Sequence, residues 1–270
     1  MEDRPSWAPP AVDIRQPSAA RVYDYFLGGS HNFASDRAVA EQALMVKPDL
    51  PDVMRENRAF LRRAVRYMVD AGITQFLDIG SGIPTVGNVH EVVHSIDPTA
   101  RVVYVDHDPI AVAHAGRLLA GQERVVAVSG DLRDPDAILA DPEVARLIDL
   151  DQPLGLLLVA VLHFVFDRDQ PQAAVKRLRG VLAPGSYLAI EHATHDWIPE
   201  EGRKLLDVWN ANAPEPMQWR SREEITAFFE DLDLLDPGVV NVHLWRPDAL
   251  HTPDPNPERF AAYAAVGRKP

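Results

Sequence analysis

At 270 residues, 46% of them hydrophobic and 25% charged, the chain has the composition of a soluble globular protein built as one core with additions. Its net charge of −13 speaks against wrapping a phosphate backbone, which takes clustered Lys and Arg, so a small molecule or a protein is the expected partner, with no nucleic acid and no membrane. The chain has no cysteine, which removes disulfides, thiolate zinc sites and cysteine nucleophiles, and no apolar run approaches the ~20 residues of a membrane span.

The first ten residues, Met-Glu-Asp-Arg-Pro-Ser-Trp-Ala-Pro-Pro, hold neither a basic start nor an apolar stretch, so no secretory signal is read and a cytoplasmic location is expected. Residues 1–20 carry four prolines and no apolar period, the signature of an arm that orders only by packing on the rest. From 20 to about 46 the text is aromatic and turn-rich, with a short helical pattern at 36–44. A longer helix is predicted at 53–70, with Phe60, Leu61, Ala64, Val65 and Met68 on one face and Gly72 at its end. Residues 1–70 thus read as an arm and helical cap, and 71–270 as the core.

An alternation follows. Strands are predicted at 76–79, 102–105, 125–128, 154–160 and 186–191, with helices at about 86–95, 109–120, 136–147 and 169–182 between them. Strands and helices in that rhythm predict an α/β protein, a parallel sheet with helices on both faces. The pattern then loosens into an insertion at about 192–220, with a helical stretch near 199–210 and a proline-broken segment at 213–218. Ser221 and Glu224 match a capping box that starts a helix running to about 230. Strands at 234–242 and 260–267 close the chain, the last of them expected to be antiparallel.

Two segments carry chemistry. Phe-Leu-Asp-Ile-Gly-Ser-Gly-Ile-Pro-Thr at 76–85 is an apolar strand ending in an acid and two close glycines, and Val-Val-Tyr-Val-Asp-His-Asp-Pro at 102–109 ends the neighbouring strand on Asp106. The first sets backbone N–H groups against a nucleotide, and the second supplies a carboxylate suited to ribose. Taken alone, Gly80 and Gly82 also suit an ordinary strand-to-helix turn.

In these segments, in 20–37, in Ser-Gly-Asp-Leu-Arg-Asp-Pro at 129–135, in Leu162-His163-Phe164 and in Leu-Ala-Pro-Gly-Ser-Tyr-Leu at 182–188, the chain resembles the class I S-adenosylmethionine-dependent methyltransferases, and among them a bacterial S-adenosyl methyltransferase family first catalogued as a domain of unknown function. The resemblance implies a Rossmann-like class I methyltransferase fold, a seven-stranded mostly parallel sheet with an N-terminal helical cap. It implies S-adenosylmethionine as cofactor. By the same resemblance Asp78, Gly80 and Gly82 form the glycine-rich loop at the methionine end and ribose. Asp106 accepts from both ribose hydroxyls and His107 lies along the adenine. Asp131 receives the adenine amino group beside the Leu132 N–H. Ala160 and Val161 lie beneath the sulfonium, with His163 at the rim. One departure is that Pro84 stands where many relatives carry a third glycine.

In-line displacement of a methyl group asks the protein mainly for alignment and exclusion of water. Where the acceptor must lose a proton, His163, His192, His31 and Tyr23 are the bases near the expected crevice. His163 reads equally as a packed core histidine. His192 and His195 form a pair without a third ligand at diagnostic spacing, so no metal site is assigned. Tyr23, His31 and Asn32 crowd a Gly28-Gly29 turn, a pattern that fits an acceptor site or an aromatic clamp docking the cap. Arg58 reads as a hand for an acidic group or as part of a solvated helix face. The catalytic candidates are therefore His163, His192 and Tyr23, and the acceptor-binding candidates Tyr23, His31, Asn32 and Arg58, for a small-molecule acceptor. A nicotinamide-dependent oxidoreductase is disfavoured because Thr85 stands where the dinucleotide fingerprint has a third glycine, and a non-catalytic binder of S-adenosylmethionine stays open.

Overall fold

The computed structural model describes residues 13–84, 87–197, 200–212, 215–248, 254 and 256–270. The first twelve residues of the expected arm, Thr85 and the expected helix start at Pro199 lie outside them. Five parallel strands, β1 (Gln75–Ile79), β2 (Arg101–Asp106), β3 (Val125–Ser129), β4 (Gly155–Val159) and β5 (Tyr187–Ala193), run in the order β3-β2-β1-β4-β5. The order reverses between β1 and β4, which opens a crevice at the carboxyl ends of these two strands. β6 (Asp233–Leu234) and β7 (Val240–Asn241) both pair with the last strand, β8 (Ala262–Arg268), which is antiparallel to β5.

The single strand expected at 234–242 is thus two short ones, and the sheet has eight strands. The cause is local: Pro237 has no N–H for a ladder, and Gly238 takes a left-handed backbone at φ +81°. The helix expected at 136–147 also divides, into α6 (Pro135–Ala140) and α7 (Pro142–Leu147). Between them Asp141 is extended and its carboxylate accepts from the N–H groups of Glu143 and Val144, so it caps the second helix where Pro142 leaves no donor. Ser221 and Glu224 form the expected reciprocal cap, with N–H to oxygen distances of 3.1 and 2.7 Å, and start a helix at Arg222–Ala227.

Alternation along the strands sorts the side chains onto two faces. Phe76, Val102, Leu157 and Ala189 pack against a long helix, α3 (Leu50–Asp70), through Phe60, Ala64 and Met68. Leu77, Val103, Leu156, Leu188 and Ile190 face the opposite layer, where α8 (Pro171–Gly180) contributes Val175 and Leu178. The expected helix at 53–70 is α3, extended by a proline-containing first turn.

The turn-rich reading of the segment after residue 20 is corrected. Ala19–Phe26 is a helix, α1, whose Val22 and Phe26 are buried at an i, i+4 spacing against α2 (Ala34–Val46) and α9 (Glu200–Asn212). This cap is tied down by charge as well as by packing. Arg21, 3% exposed, donates from Nε to Asp36 at 2.9 Å and from Nη1 to Asp108 at 3.2 Å. Asp108 in turn caps α5 (Pro109–Leu118), accepting from the Ile110 N–H at 2.7 Å. No helix among the described residues is long and apolar enough to cross a membrane.

Candidate functional site

A cavity of about 750 Å³ lies over the carboxyl ends of β1, β2, β4 and β5, roofed by α1, α2, α3 and α9. At its floor β1 carries Asp78 next to its last residue, and the chain continues through Gly80 and Gly82, both with left-handed backbones. The two glycines serve different needs. A Cβ on Gly80 would stand 2.2 Å from a methyl of Val161, so this glycine lets the loop lie against the end of β4. Around Gly82 nothing lies within 4 Å of such a Cβ, and its φ of +65° is what favours glycine there. That conformation aims the Gly82 N–H at Asp106, 2.7 Å from Oδ2. The Asp108 N–H holds the other carboxylate oxygen at 2.8 Å. Asp106 is 6% exposed, and burial pushes its carboxyl up while the two N–H groups pull it down. A carboxylate accepts four hydrogen bonds, so two positions stay open toward the cavity.

His107 faces the same rim. A hydrogen bond to Glu215, on the segment between α9 and the Arg222–Ala227 helix, raises its imidazole to about 9, so it is charged at neutral pH. Asp131, after β3, is held by the Arg133 Nε at 2.9 Å; burial works to raise its carboxyl, and Arg133 keeps it below the ordinary value. Leu132 is buried beside it in the cavity wall. Burial raises Asp78 to about 7, against the opposing pull of Arg58 and with the help of the Asp106 charge.

On the far side of the switch point β4 is followed by Ala160, a non-glycine residue held at φ 57° with its N–H on the Glu191 carbonyl at 3.2 Å. Such strain persists where surrounding structure over-determines it. His163 follows in a single helical turn, Leu162–Phe164, in the cavity wall; its ring lies 5.5 Å from that of His192, its Nδ1 has no partner among the described residues, and burial takes its pKa down to about 3. The imidazole is neutral throughout the physiological range.

The expectations for the neighbouring residues divide. Tyr23 and Arg58 line the cavity: the Tyr23 hydroxyl donates to the Met54 carbonyl at 3.1 Å, the Arg58 guanidinium lies 5.5 Å from the Tyr23 ring, and the Arg58 Nε has no partner among the described residues. Burial lifts the Tyr23 phenol to about 12, which makes it a donor in preference to a base. His192 does not reach the cavity. Being one residue beyond Glu191 it points to the opposite face, where its Nδ1 donates to the Ala193 carbonyl at 2.6 Å and its Nε2 accepts a hydrogen bond from the Arg220 Nη1 at 2.9 Å. It is fully buried, and burial holds its pKa well below the ordinary value. His31 and Asn32 also stand outside the cavity lining. The Asn32 amide donates to Asp24 and to the Gly29 carbonyl, at 2.9 and 3.0 Å, and the His31 ring lies 3.7 Å from that of His114. Their turn is built around the buried Asp24, which would also clash with any side chain at residue 29.

Two residues escaped the sequence reading. Glu191 occupies a cavity-facing position near the end of β5; it is 1% exposed, its Oε2 has no hydrogen-bond partner among the described residues, and burial raises it to about 8. Arg220, 2% exposed, donates to the carbonyls of Leu162 and Val165 at 3.0 and 2.8 Å and so fixes the turn that carries His163. Glu191 was legible in principle, since strand alternation ties it to Asp78 and its neighbour to the other face. Arg220 left no comparable signal.

A glycine loop crossing a strand end, a buried acid with open acceptor positions and an unpartnered arginine nitrogen fit a nucleoside carrying an amino acid. The family model for S-adenosyl methyltransferase matches residues 5–270. The chain belongs to the S-adenosyl methyltransferase family. S-adenosylmethionine is therefore its cofactor and methyl transfer its reaction class. This methyltransferase is 42% identical to a candidate methyltransferase from Thermobifida fusca YX, with 98% of this chain and 99% of that one covered and a TM-score of 0.91. It is 41% identical to a DUF574 family protein from Streptomyces avermitilis MA-4680, over 96% and 99% of the two chains, again at 0.91. The N-methyltransferase NodS of Bradyrhizobium japonicum WM9, solved with S-adenosyl-L-homocysteine, shares the fold at 15% identity, a TM-score of 0.51 and coverage of 93% and 99%. No curated protein matches the methyltransferase.

Proposed function

We propose that this methyltransferase acts on a small-molecule acceptor enclosed beneath the helical cap. One observation carries the proposal: a single cavity has a polar cradle at one end and an apolar, aromatic chamber at the other, lined by Phe26, Phe164, Leu205, Trp209, Met217 and Trp219. Its volume of about 750 Å³ lies within the roughly 300–1,000 Å³ of small-molecule sites, and α1 and α9 contribute to its wall.

In this reading the cofactor's ribose hydroxyls fill the open acceptor positions of Asp106, and its adenine edge meets Asp131 and the Leu132 N–H beside His107. Its carboxylate takes the unpartnered Arg58 Nε and its ammonium sets against Asp78, with Gly80 and Gly82 presenting backbone. Ala160, Val161 and His163 lie beside the reacting centre. When bound, the sulfonium supplies an electrophilic methyl group. The protein's own share is alignment and dryness: the cap excludes water, and a neutral His163 adds no charge that would repel the sulfonium.

Two measurements test this. Asp106→Asn should weaken S-adenosylhomocysteine binding about tenfold or more by calorimetry, since an amide offers the ribose one acceptor oxygen in place of a carboxylate. Labelled methyl transfer into a cell extract should place the label in the low-molecular-weight fraction. Label found in protein or nucleic acid would refute the small-molecule acceptor.

A further inference from the structure

We propose that the acceptor is an amine, and that Glu191 binds its ammonium group and then takes the proton that must leave before methyl transfer. This rests on the small-molecule chamber proposed above.

The geometry starts with strand alternation. Glu191 and Ala193 share one face of β5, and Ala193 packs against the cluster of Val22, Phe26, Trp209 and Trp219 that makes the apolar chamber. Glu191 therefore sits one step inward from that chamber, on the strand next to β4, which is followed by Ala160 and Val161. It is the acid on the chamber side of the switch point, while Asp78 and Asp106 stand on the cradle side.

Its condition is unusual for a buried carboxyl. Among the described residues Oε2 has no hydrogen-bond partner and Glu191 forms no ion pair, while the backbone N–H of Ala160 alone pulls its carboxyl down. Removing a carboxylate from water with so little compensation costs several kcal/mol, so such a group is expected to be completed by a ligand or to have gone neutral. The titratable groups of the cavity wall include Tyr23 from α1, Asp78 from β1, His163 after β4 and the cations Lys47, Arg58, Arg133, Arg168 and Arg259. Lys47, Arg133, Arg168 and Arg259 each pair with an aspartate and Arg58 pulls on Asp78 and on Tyr23, so among the described residues none of these cations is paired with Glu191. A ligand cation is what Glu191 lacks.

An ammonium group satisfies this condition where a hydroxyl does not. It supplies a full positive charge and up to three donors to the carboxylate, and the faces of Trp209 and Trp219 suit a cation or the carbon skeleton next to it. Burial lifts Glu191 to about 8, below an alkylammonium but far nearer to it than to an aliphatic alcohol, so proton transfer from the former is much the less uphill of the two. In the step itself the ammonium gives one proton to Glu191 and becomes a neutral amine. The amine nitrogen then forms a bond to the methyl carbon as the carbon–sulfur bond breaks, its electron pair passing to sulfur. Sulfur ends as a neutral thioether, the positive charge resides on the methylated nitrogen, and the Glu191 proton leaves to solvent when the product departs.

The test is calorimetric titration of the full chain saturated with S-adenosylhomocysteine, using phenethylamine and tryptamine against phenethyl alcohol, tryptophol and ethylphenol. The amines should bind saturably and the neutral analogues at least tenfold more weakly. In two buffers of different ionisation heat at neutral pH, amine binding should release about one proton, because the arriving cation ionises Glu191, and affinity should fall about tenfold for each pH unit below 8. Glu191→Gln should lose tenfold or more of the amine affinity and keep S-adenosylhomocysteine affinity within about twofold. Equal binding of alcohol or phenol, no amine binding to the loaded protein, or a tenfold loss of S-adenosylhomocysteine affinity in the variant would each overturn the assignment. If the variant does not fold, proton release by the unaltered protein decides alone. Failure of the chamber reading looks different, since label would then enter macromolecules whatever the amines do.

Discussion

Replacing Glu191 by glutamine should make the ligand-free protein more stable, and only at high pH. In the folded chain the carboxyl is raised by burial from 4.5 to about 8, so the folded state keeps its proton over a range in which the unfolded state has lost it. Stability is therefore full below about 4.5 and declines as pH rises through 8. At 1.36 kcal/mol per pH unit the whole interval corresponds to a ceiling of about 5 kcal/mol, and water entering the cavity would lower the effect to about half of that. Glutamine cannot ionise and escapes the decline. For a chain of this size roughly 2 °C in Tm accompanies each kcal/mol, so the two proteins should melt together at pH 5 and the variant should lead by about 5–10 °C at pH 9, by circular dichroism without ligand. Asp78, raised to about 7 by the same burial, depresses both melting curves and cancels in the difference. A gap between the curves that stays constant from pH 5 to pH 9 would refute the reasoning, because it would mean that Glu191 is solvated or already paired.

The two loop glycines should respond differently to alanine. Gly80→Ala meets Val161 at 2.2 Å and is left-handed, so it should cost about 1–2 kcal/mol for conformation and a further ~1–3 for crowding, whereas Gly82→Ala should cost the conformational part alone; chemical denaturation of both variants decides, and equal losses would show that Val161 simply moves aside. Arg220→Met keeps the stem and strips the carbonyls of Leu162 and Val165 of their donor, which should destabilise by about 2–5 kcal/mol and free the turn bearing His163, read as faster amide exchange there.

Much of this architecture was legible because each level of the sequence agreed. Apolar strands at 76–79, 102–105 and 186–191 alternate with helices capped by Asp108 and Ser221, and the family segments fall at strand ends, where the cavity lies. What escaped follows from things one-dimensional text does not carry. The α1 helix was hidden because Tyr23, Tyr25 and the Gly28–Gly29 turn dominate the composition, although Val22 and Phe26 already stand one helical turn apart. The continuous pattern at 136–147 hid a break that depends on Asp141 capping across Pro142. His192 drew attention as a histidine at a strand end, and its residue type said nothing about the face it occupies. With β1 and β5 in one sheet, the alternation that turns Asp78 toward α3 does the same for Glu191 and sends His192 away. His31 and Asn32 were drawn together by Asp24, a structural demand that looks in sequence like a binding motif.

The Arg21 bridge has a consequence for how the cofactor is held. Asp36 belongs to the cap, Asp108 to the loop whose N–H steadies Asp106, and Arg21 holds both. Occupancy of the nucleoside end and order in the cap are then linked quantities, and linkage is reciprocal: whatever factor the bound cofactor adds to cap closure, a closed cap adds to cofactor retention. Titration with S-adenosylhomocysteine should accordingly slow amide exchange in α1 and α2. Through this bridge, order in the cap and retention of the cofactor rise and fall together.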